Sequence, residues 1–442
     1  MTGKDAVKES DVILDQNYDP HHHRTRKHPT TNFETLVHIL KGSLGTGILA
    51  MPQAFDNSGY VSGLINTVLI GILCTYCLHL LVQAQYTLCK RHRVPMMTYP
   101  ISMKVALEEG PQALRRFSSC AIVVVDGFLI VYQLGICCVY IVFVATNVKQ
   151  LVDIYYPMDV KIHCLILLVP LIAINMIRNL KILAPFSTFA NVLTFIGLGM
   201  TLYYIIDGIP SPSEREMVAD IGRFPLFFGT VLFALEAVGV IIALENNMET
   251  PKSFGGYCGV LNIGMTVIVF LYALVGFLGY IKYGPESLGS ITLNLPPNEI
   301  MSQSIRILFA IAIFISYGLQ CYVPVEIIWN TYLVDRYKDS AHKTSYEMLV
   351  RITLVIITFV TAVAVQKLGL FISLVGAFGL SMLGIVFPSL MDICVKWPTN
   401  LGPGGFHLWK DLLLILFGLS GLITGTYKSV IEILHSYRLQ KV

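Results

Sequence analysis

The sequence predicts an all-α integral membrane protein of about eleven transmembrane helices, two inverted sets of five plus one extra helix. Three observations carry this. The 442 residues are 55% hydrophobic and only 13% charged, with a mean hydropathy of +0.67, whereas a soluble domain is about 25% charged. The missing charge leaves uncharged runs of roughly 20 residues, the length a helix needs to cross hydrocarbon. The first and sixth runs are both interrupted mid-way by glycine and other small residues.

In chain order, residues 1–31 form a polar tail with Asp5, Glu9, Asp11 and Asp15. It lacks the apolar core of a signal peptide and is expected to be disordered and cytosolic. Within it, Glu9-Ser-Asp-Val-Ile-Leu14 is similar to an acidic dileucine signal, implying sorting or signalling partners for the tail. His21, His22 and His23 are too short a tract, in too mobile a context, to predict a metal site. Apolar runs then begin near Thr35, Val61, Ser118, Ile162, Leu183, Pro225, Val260, Ser304, Glu347, Leu368 and Trp409. They divide residues 32–442 into a first set (32–210), a second set (223–396) and an additional helix (408–434). Lys and Arg crowd the loops after the second, fourth and eighth runs (Lys90, Arg91, Arg93, Lys104, Arg115, Arg116; Arg178, Lys181; Arg336, Lys338, Lys343). Cytosolic loops carry such an excess, so the N-terminus is expected in the cytosol and the C-terminus on the other side. Lys104–Arg116 reads equally as a short interfacial helix or a solvated loop.

The net charge of +3 is too small to imply a nucleic-acid partner. The ten cysteines fall mainly in apolar runs, without zinc-type spacing; small-residue packing is their expected role. No paired catalytic residues or metal cluster appear at a membrane face, so no enzyme and no metal or organic cofactor are expected.

Lys41-Gly-Ser-Leu-Gly-Thr-Gly-Ile-Leu-Ala-Met-Pro52, in the first run, organises the rest. Each glycine costs a helix interior roughly 1 kcal/mol relative to alanine, and broken backbone in lipid survives only where it faces protein or a cavity. Gly45, Thr46 and Gly47 are therefore expected to form an unwound hinge. Its outer half-helix would present a positive N-terminal end suited to a carboxylate. Close packing against a neighbouring helix is the competing explanation of the glycines. The sixth run, Phe233-Ala-Leu-Glu-Ala-Val-Gly-Val-Ile-Ile-Ala-Leu-Glu245, carries Gly239 and a mid-membrane carboxylate, Glu236. A charge there costs about 2.5–3.5 kcal/mol on insertion scales, so Glu236 is expected to hold a proton or a substrate ammonium; hydrogen bonding to a neighbouring helix as a neutral acid is the plain alternative. His38, about two turns before the break, is either a proton-sensing group or a satisfied core histidine. Asp126 and Glu326 lie nearer the cytosolic ends and are expected to pair with loop residues or water. Tyr132, Gln133, Tyr140, Tyr317 and Tyr322 are candidates for cavity lining or packing.

Phe33-Glu-Thr-Leu-Val-His-Ile-Leu-Lys-Gly-Ser-Leu-Gly-Thr-Gly-Ile-Leu-Ala-Met-Pro52 resembles the first helix of the proton-coupled amino acid transporters of the amino acid/auxin permease group. Leu134-Gly-Ile-Cys-Cys-Val-Tyr140, Ile177-Arg-Asn-Leu180, Leu244-Glu-Asn-Asn-Met248, Ile291-Thr-Leu-Asn-Leu-Pro296 and Tyr322-Val-Pro-Val-Glu-Ile-Ile328 are similar to further signatures of it. The resemblance implies the inverted-repeat fold of the bacterial leucine transporter, and symport of small neutral amino acids with a proton into the cytosol. It implies substrate contacts at Ser43, Gly45, Thr46, Gly47, Phe233, Glu236 and Gly239, with His38 and Glu236 in proton coupling. It implies a lysosomal, late endosomal or plasma membrane location. The sequence departs from mammalian members at the segment after Pro296: Pro297, Asn298 and Glu299 stand where those relatives carry the second cysteine of an outer disulfide. An amino acid sensor with little net flux is the alternative function.

Overall fold

The computed structural model describes residues 18–24, 29–178, 180–235 and 238–439. Helices α1 (Asn32–Ser43) and α2 (Thr46–Ser58) together make the first crossing, and α3 (Tyr60–His92) returns. Two short helices follow, α4 (Tyr99–Glu109) and α5 (Gln112–Arg115), so Lys104–Arg116 is mostly helical rather than a plain loop. Then come α6 (Ser118–Val152), α7 (Val160–Asn175), α8 (Leu180–Ile206), α9 (Phe224–Ala234), α10 (Val238–Asn247), α11 (Val260–Tyr283), α12 (Ile300–Glu326) and α13 (Lys343–Ala364). α14 (Leu368–Val375) runs through a π-helical stretch, Gly376–Val386, into α15 (Phe387–Lys396), and α16 (Phe406–Leu439) closes the chain. Eight of the described helical segments are individually long and apolar enough to span a bilayer. With the short apolar α7 and the two interrupted pairs α1/α2 and α9/α10, they account for the predicted crossings. The structure is all-helical and multi-pass.

Local chemistry sets several boundaries. α1 begins with a capping box: the Glu34 amide donates to Thr31 Oγ1 at 3.3 Å and the Thr31 amide to Glu34 Oε2 at 2.8 Å. Gly59 turns α2 into α3 with φ +81°, and a Cβ there would lie 2.6 Å from the Met217 carbonyl oxygen. Pro324 lies in the last turn of α12, and the helix widens to π geometry over Ile327–Leu333.

Side-chain ties sort the helix ends into two groups, as alternating crossings require. On the N-terminal side, Arg24 Nε donates to the Pro95 carbonyl (3.2 Å), Arg91 Nη2 to the Val395 carbonyl (2.7 Å), Tyr332 to Asp126 (2.8 Å), and Arg178 to Glu347 (2.6 Å). On the opposite side, Arg223 pairs with Asp56, Arg215 Nε donates to the Ile281 carbonyl (2.9 Å) and Gln150 to the Leu293 carbonyl (3.0 Å). Asp126 thus pairs with the π-helical end of α12 rather than with a loop residue or water.

The core is a bundle in which α2 packs on α9 and α11, α6 on α12, and α9 on α14 and Gly376–Val386. Large apolar side chains such as Val169 (72% exposed) and Leu416 (65%) face outward, as a lipid-contacting surface needs. α16 is peripheral: only 17% of its most apolar stretch is buried.

One finding differs from expectation, and a second shows how the segment without the outer disulfide is held. The tail is not wholly disordered: Arg24 Nη1 pairs with Glu245 Oε1 at 2.9 Å, His21 Nε2 lies 3.3 Å from the same oxygen, and Lys252 Nζ lies 3.1 Å from Asp19 Oδ2. Charge complementarity with the end of α10 pins Asp19–Arg24, which the tail's polar composition alone did not reveal. The segment Glu9–Leu14 lies outside the described residues. Second, the Ile291–Pro296 motif is held without a disulfide. The fully buried Arg306 donates through Nε to the Thr292 carbonyl at 3.2 Å and through Nη2 to that of Leu295, while Asn294 bridges the Leu288 amide and the Glu286 carbonyl. All ten cysteines are free.

Candidate functional site

The break in the first crossing is narrower than the sequence suggests. α1 ends with the Leu44 amide on the Leu40 carbonyl (2.9 Å), and the Gly45 amide turns back onto the Ser43 carbonyl (3.0 Å). Only Leu44 and Gly45 leave the helix; Thr46 and Gly47 already belong to the first turn of α2. The break is short: Gly45 alone caps α2 in non-helical backbone (φ −132°, ψ −146°), and it brings no side chain into the gap. Gly47 serves a different purpose. A Cβ there would lie 2.6 Å from Ala234 Cα, so α2 and α9 meet backbone to backbone. Both readings of the glycines hold, at different positions.

In the sixth crossing, α9 ends as the Leu235 amide reaches the Val231 carbonyl (3.0 Å), and α10 resumes at Val238. Gly239 therefore lies inside α10 rather than at the break. Glu236 lies outside the described residues.

The two breaks are thus neighbours, in opposite electrostatic sense. α2 starts at the junction, so its amide end carries partial positive charge; α9 finishes there, so its carbonyl end carries partial negative charge. Gly45 caps α2 without a side chain, leaving the first amides open. Thr46 is 1% exposed, and its hydroxyl accepts and donates no hydrogen bond among the described residues. A buried hydroxyl left unpaired costs about 1–3 kcal/mol, which marks it as a contact awaiting a partner. Tyr140 of α6 brings its hydroxyl to the break: a Cβ at Gly45 would be 3.7 Å from it. Tyr272 of α11 donates to the Ser43 carbonyl, fixing the end of α1. Phe233, 2% exposed, completes the wall, and its amide lies close to Gly376.

The other sequence candidates lie apart. His38 sits on α1 about two turns below the break and is half-buried. Tyr317 bonds Thr358 at 2.8 Å, a packing contact between α12 and α13. Gln133 is buried on α6 with its Oε1 unpaired. Among the described residues no group of His, Cys, Asp and Glu has the arrangement of a metal site.

Each break is also tied at both outer ends. On the opposite side, Arg223 just before α9 reaches Asp56 and the Asn57 Oδ1 (3.2 Å) of α2. On the N-terminal side, the Thr30 amide donates to the Asn247 carbonyl and the Glu249 amide to the Thr30 carbonyl, both at 2.9 Å, joining the start of α1 to the end of α10. Sequence reading missed Ala234, Tyr272 and both ties. Asp56 and Arg223, each at the end of an apolar run, carried a faint signal; nothing in the sequence pairs them.

The geometry is that of two discontinuous membrane helices that meet near their breaks. Comparison with known proteins agrees. Residues 28–431 match the family described as transmembrane amino acid transporter protein. The chain is 41% identical over 431 residues, 96% of its length and 90% of the relative's, to the proton-coupled amino acid transporter-like protein pathetic of Drosophila melanogaster. It is 26% identical over 426 residues, 91% of each chain, to the amino acid transporter AVT3C of Arabidopsis thaliana. This chain belongs to the transmembrane amino acid transporter family, and so is a transporter rather than an enzyme.

Proposed function

We propose that this protein carries small neutral amino acids together with protons into the cytosol, by alternating access about the junction of α1/α2 with α9/α10. The observation that carries the reading is the contact of Gly47 with Ala234. It sets the amide end of α2 beside the carbonyl end of α9, so the carboxylate of a zwitterion meets the first and its ammonium the second. Gly45 lets the carboxylate approach the backbone, and Thr46 adds a hydroxyl, with Ser43 bounding the site below. Thr46, Ile48, Tyr140, Phe233 and Tyr272 wall it with uncharged side chains, which favours a small neutral substrate.

Residues 32–210 and 223–396 act as inverted halves, with 408–434 outside them. The Asp56–Arg223 tie and the Thr30–Asn247 tie open in turn, exposing the junction first to one side and then to the other. Glu236 takes up the coupling proton and His38 passes it toward the cytosol; no other cofactor is involved. The basic loops support a cytosolic N-terminus, and the protein acts in lysosomal, late endosomal or plasma membranes. The test is uptake of a radiolabelled amino acid panel into proteoliposomes with and without an imposed proton gradient. Acid-stimulated uptake of small neutral amino acids, lost in Glu236→Gln at unchanged membrane insertion, is expected; uptake indifferent to collapse of the gradient overturns the coupling.

One observation favours a sensor role beside transport. The Asp19–Arg24 segment is docked on α10 through Glu245, so movement of the transport helix would reposition the tail. Signalling that survives a transport-dead substitution would identify that role.

A further inference from the structure

We propose that the membrane-facing groove between α3 and α11 binds a sterol, with its hydroxyl on His79. The groove measures about 1260 Å³ and is separate from the junction described above. Its upper part is apolar: Leu64, Val68 and Ile72 line it from α3, and Val269, Phe270 and Ala273 from α11. The α3 residues recur every four positions, so they form one continuous face of the helix. Its lower end, toward the N-terminal side, turns polar at Tyr76, His79, Gln83 and Asn262.

The polarity of His79 is set by its neighbour. Asn262 Nδ2 donates to the Gly256 and Tyr257 carbonyls, both at 3.1 Å, which turns its Oδ1 toward His79. His79 Nε2 lies 2.7 Å from that oxygen and therefore donates to it. In the neutral ring the proton is then on Nε2, and Nδ1 is a hydrogen-bond acceptor. Nδ1 lies beside Gly255, whose Cβ, if present, would come 3.8 Å away; the bare glycine leaves the nitrogen accessible from the groove. Among the described residues Nδ1 has no hydrogen-bond partner.

An acceptor at the hydrocarbon boundary selects a lipid that donates. A sterol hydroxyl donates without charge; a phosphodiester does not donate, and the ammonium of an aminophospholipid donates only with an anionic phosphate beside it. The cations nearby are already committed: Lys396 to Asp392 at 2.6 Å, and Lys410 to Asp411 at 2.9 Å and Asp392 at 3.5 Å. Among the described residues no uncommitted lysine lines the groove to draw an anionic headgroup. From His79 to Leu64 the helix rises about 22 Å, which accommodates a sterol from hydroxyl to tail; above Tyr76 the wall is apolar apart from Thr75, whose hydroxyl donates back to the Gly71 carbonyl, and Thr266, whose hydroxyl donates to the Asn262 carbonyl.

The experiment uses the full chain in phospholipid nanodiscs and a photoreactive, clickable cholesterol analogue, with labelled peptides mapped by mass spectrometry. Labelling is expected in Tyr60–His92 or Val260–Tyr283. Excess cholesterol should compete, whereas cholestane, which lacks the hydroxyl, and phosphatidylserine should not. His79→Leu should lower labelling about tenfold, the loss of one hydrogen bond, and His79→Gln, which keeps an acceptor, should retain most of it. Ala273→Trp should block the groove, and thermal unfolding of each variant separates blockage from misfolding. Labelling elsewhere, equal competition by cholestane or phosphatidylserine, or undiminished labelling of folded His79→Leu overturns the proposal.

Discussion

Gly47 and Ala234 touch through their backbones: a Cβ on Gly47 would lie 2.6 Å from Ala234 Cα and 3.1 Å from Ala234 Cβ. That contact joins two helices that each stop in mid-membrane, and it has no slack. Gly47→Val should therefore wedge α2 from α9 and cost about 1–3 kcal/mol by overpacking, with uptake lost. Gly127→Ala, where nothing lies within 4 Å of the new Cβ, should leave both unchanged. Thermal unfolding and uptake measured together check the contrast.

Thr46 offers a cleaner separation of stability from binding. Its buried hydroxyl has no partner among the described residues, so Thr46→Val removes an unpaired polar group and should hold or raise the melting temperature. If the hydroxyl meets substrate, KM should rise about tenfold. An unchanged KM would leave Thr46 with no place in the site.

The two ties across the breaks should oppose one another. Arg223 is 40% exposed in its side chain, so its pair with Asp56 is worth no more than about 1 kcal/mol. Arg223→Gln should make a cysteine placed at Ser58 react about two- to fivefold faster with an impermeant maleimide. Arg24→Gln, which removes the ion pair that holds Glu245 on the other side, next to the Thr30–Asn247 tie, and leaves only His21 on it, should slow the same reaction or leave it unchanged. Acceleration by both would mean that the ties only stabilise the fold.

Arg306 holds the Ile291–Pro296 segment as a buried cation bonded to the Thr292 and Leu295 carbonyls. Arg306→Met should leave these carbonyls unpaired and cost roughly 3 kcal/mol, read as a lower melting temperature with the junction otherwise intact.

The docked tail segment has a defined acid limit. Burial alone would raise the Asp19 carboxyl, but the His21 amide, the Lys252 ammonium and the charge of His21 together hold it below its ordinary value. A carboxyl lowered in the folded state contributes stability above its unfolded value, about 3.9, and loses it as pH falls through the lower folded value. Asp19 should therefore stay ionised, and keep its contact with Lys252, across pH 5 to 8. A spin label at the exposed His22 should show unchanged mobility over that range, and greater mobility in Asp19→Asn at every pH.

Much of this was legible from the chain. Runs of apolar residues set the crossings, because a helix that satisfies its own backbone is the only open-chain element that lipid accepts; the observed helices start within a few residues of the predicted ones. The break in the first helix was legible because three glycines within six residues weaken a helix interior. Its extent was not, since whether Thr46 and Gly47 rejoin a helix depends on what α9 offers them. Gly239 misled for the same reason: a glycine alone does not distinguish a break from a position inside a helix.

The sequence by itself determined that the protein crosses the membrane many times and loosens two of its helices, because hydropathy and glycine act over a few neighbouring residues. Only the tertiary structure decided that the two loosened points meet at Gly47 and Ala234, that Arg223 reaches Asp56, and that Asp19–Arg24 folds back onto Glu245. Those contacts join residues more than 150 positions apart, and their partners are chosen by packing and charge in three dimensions, which no local pattern encodes.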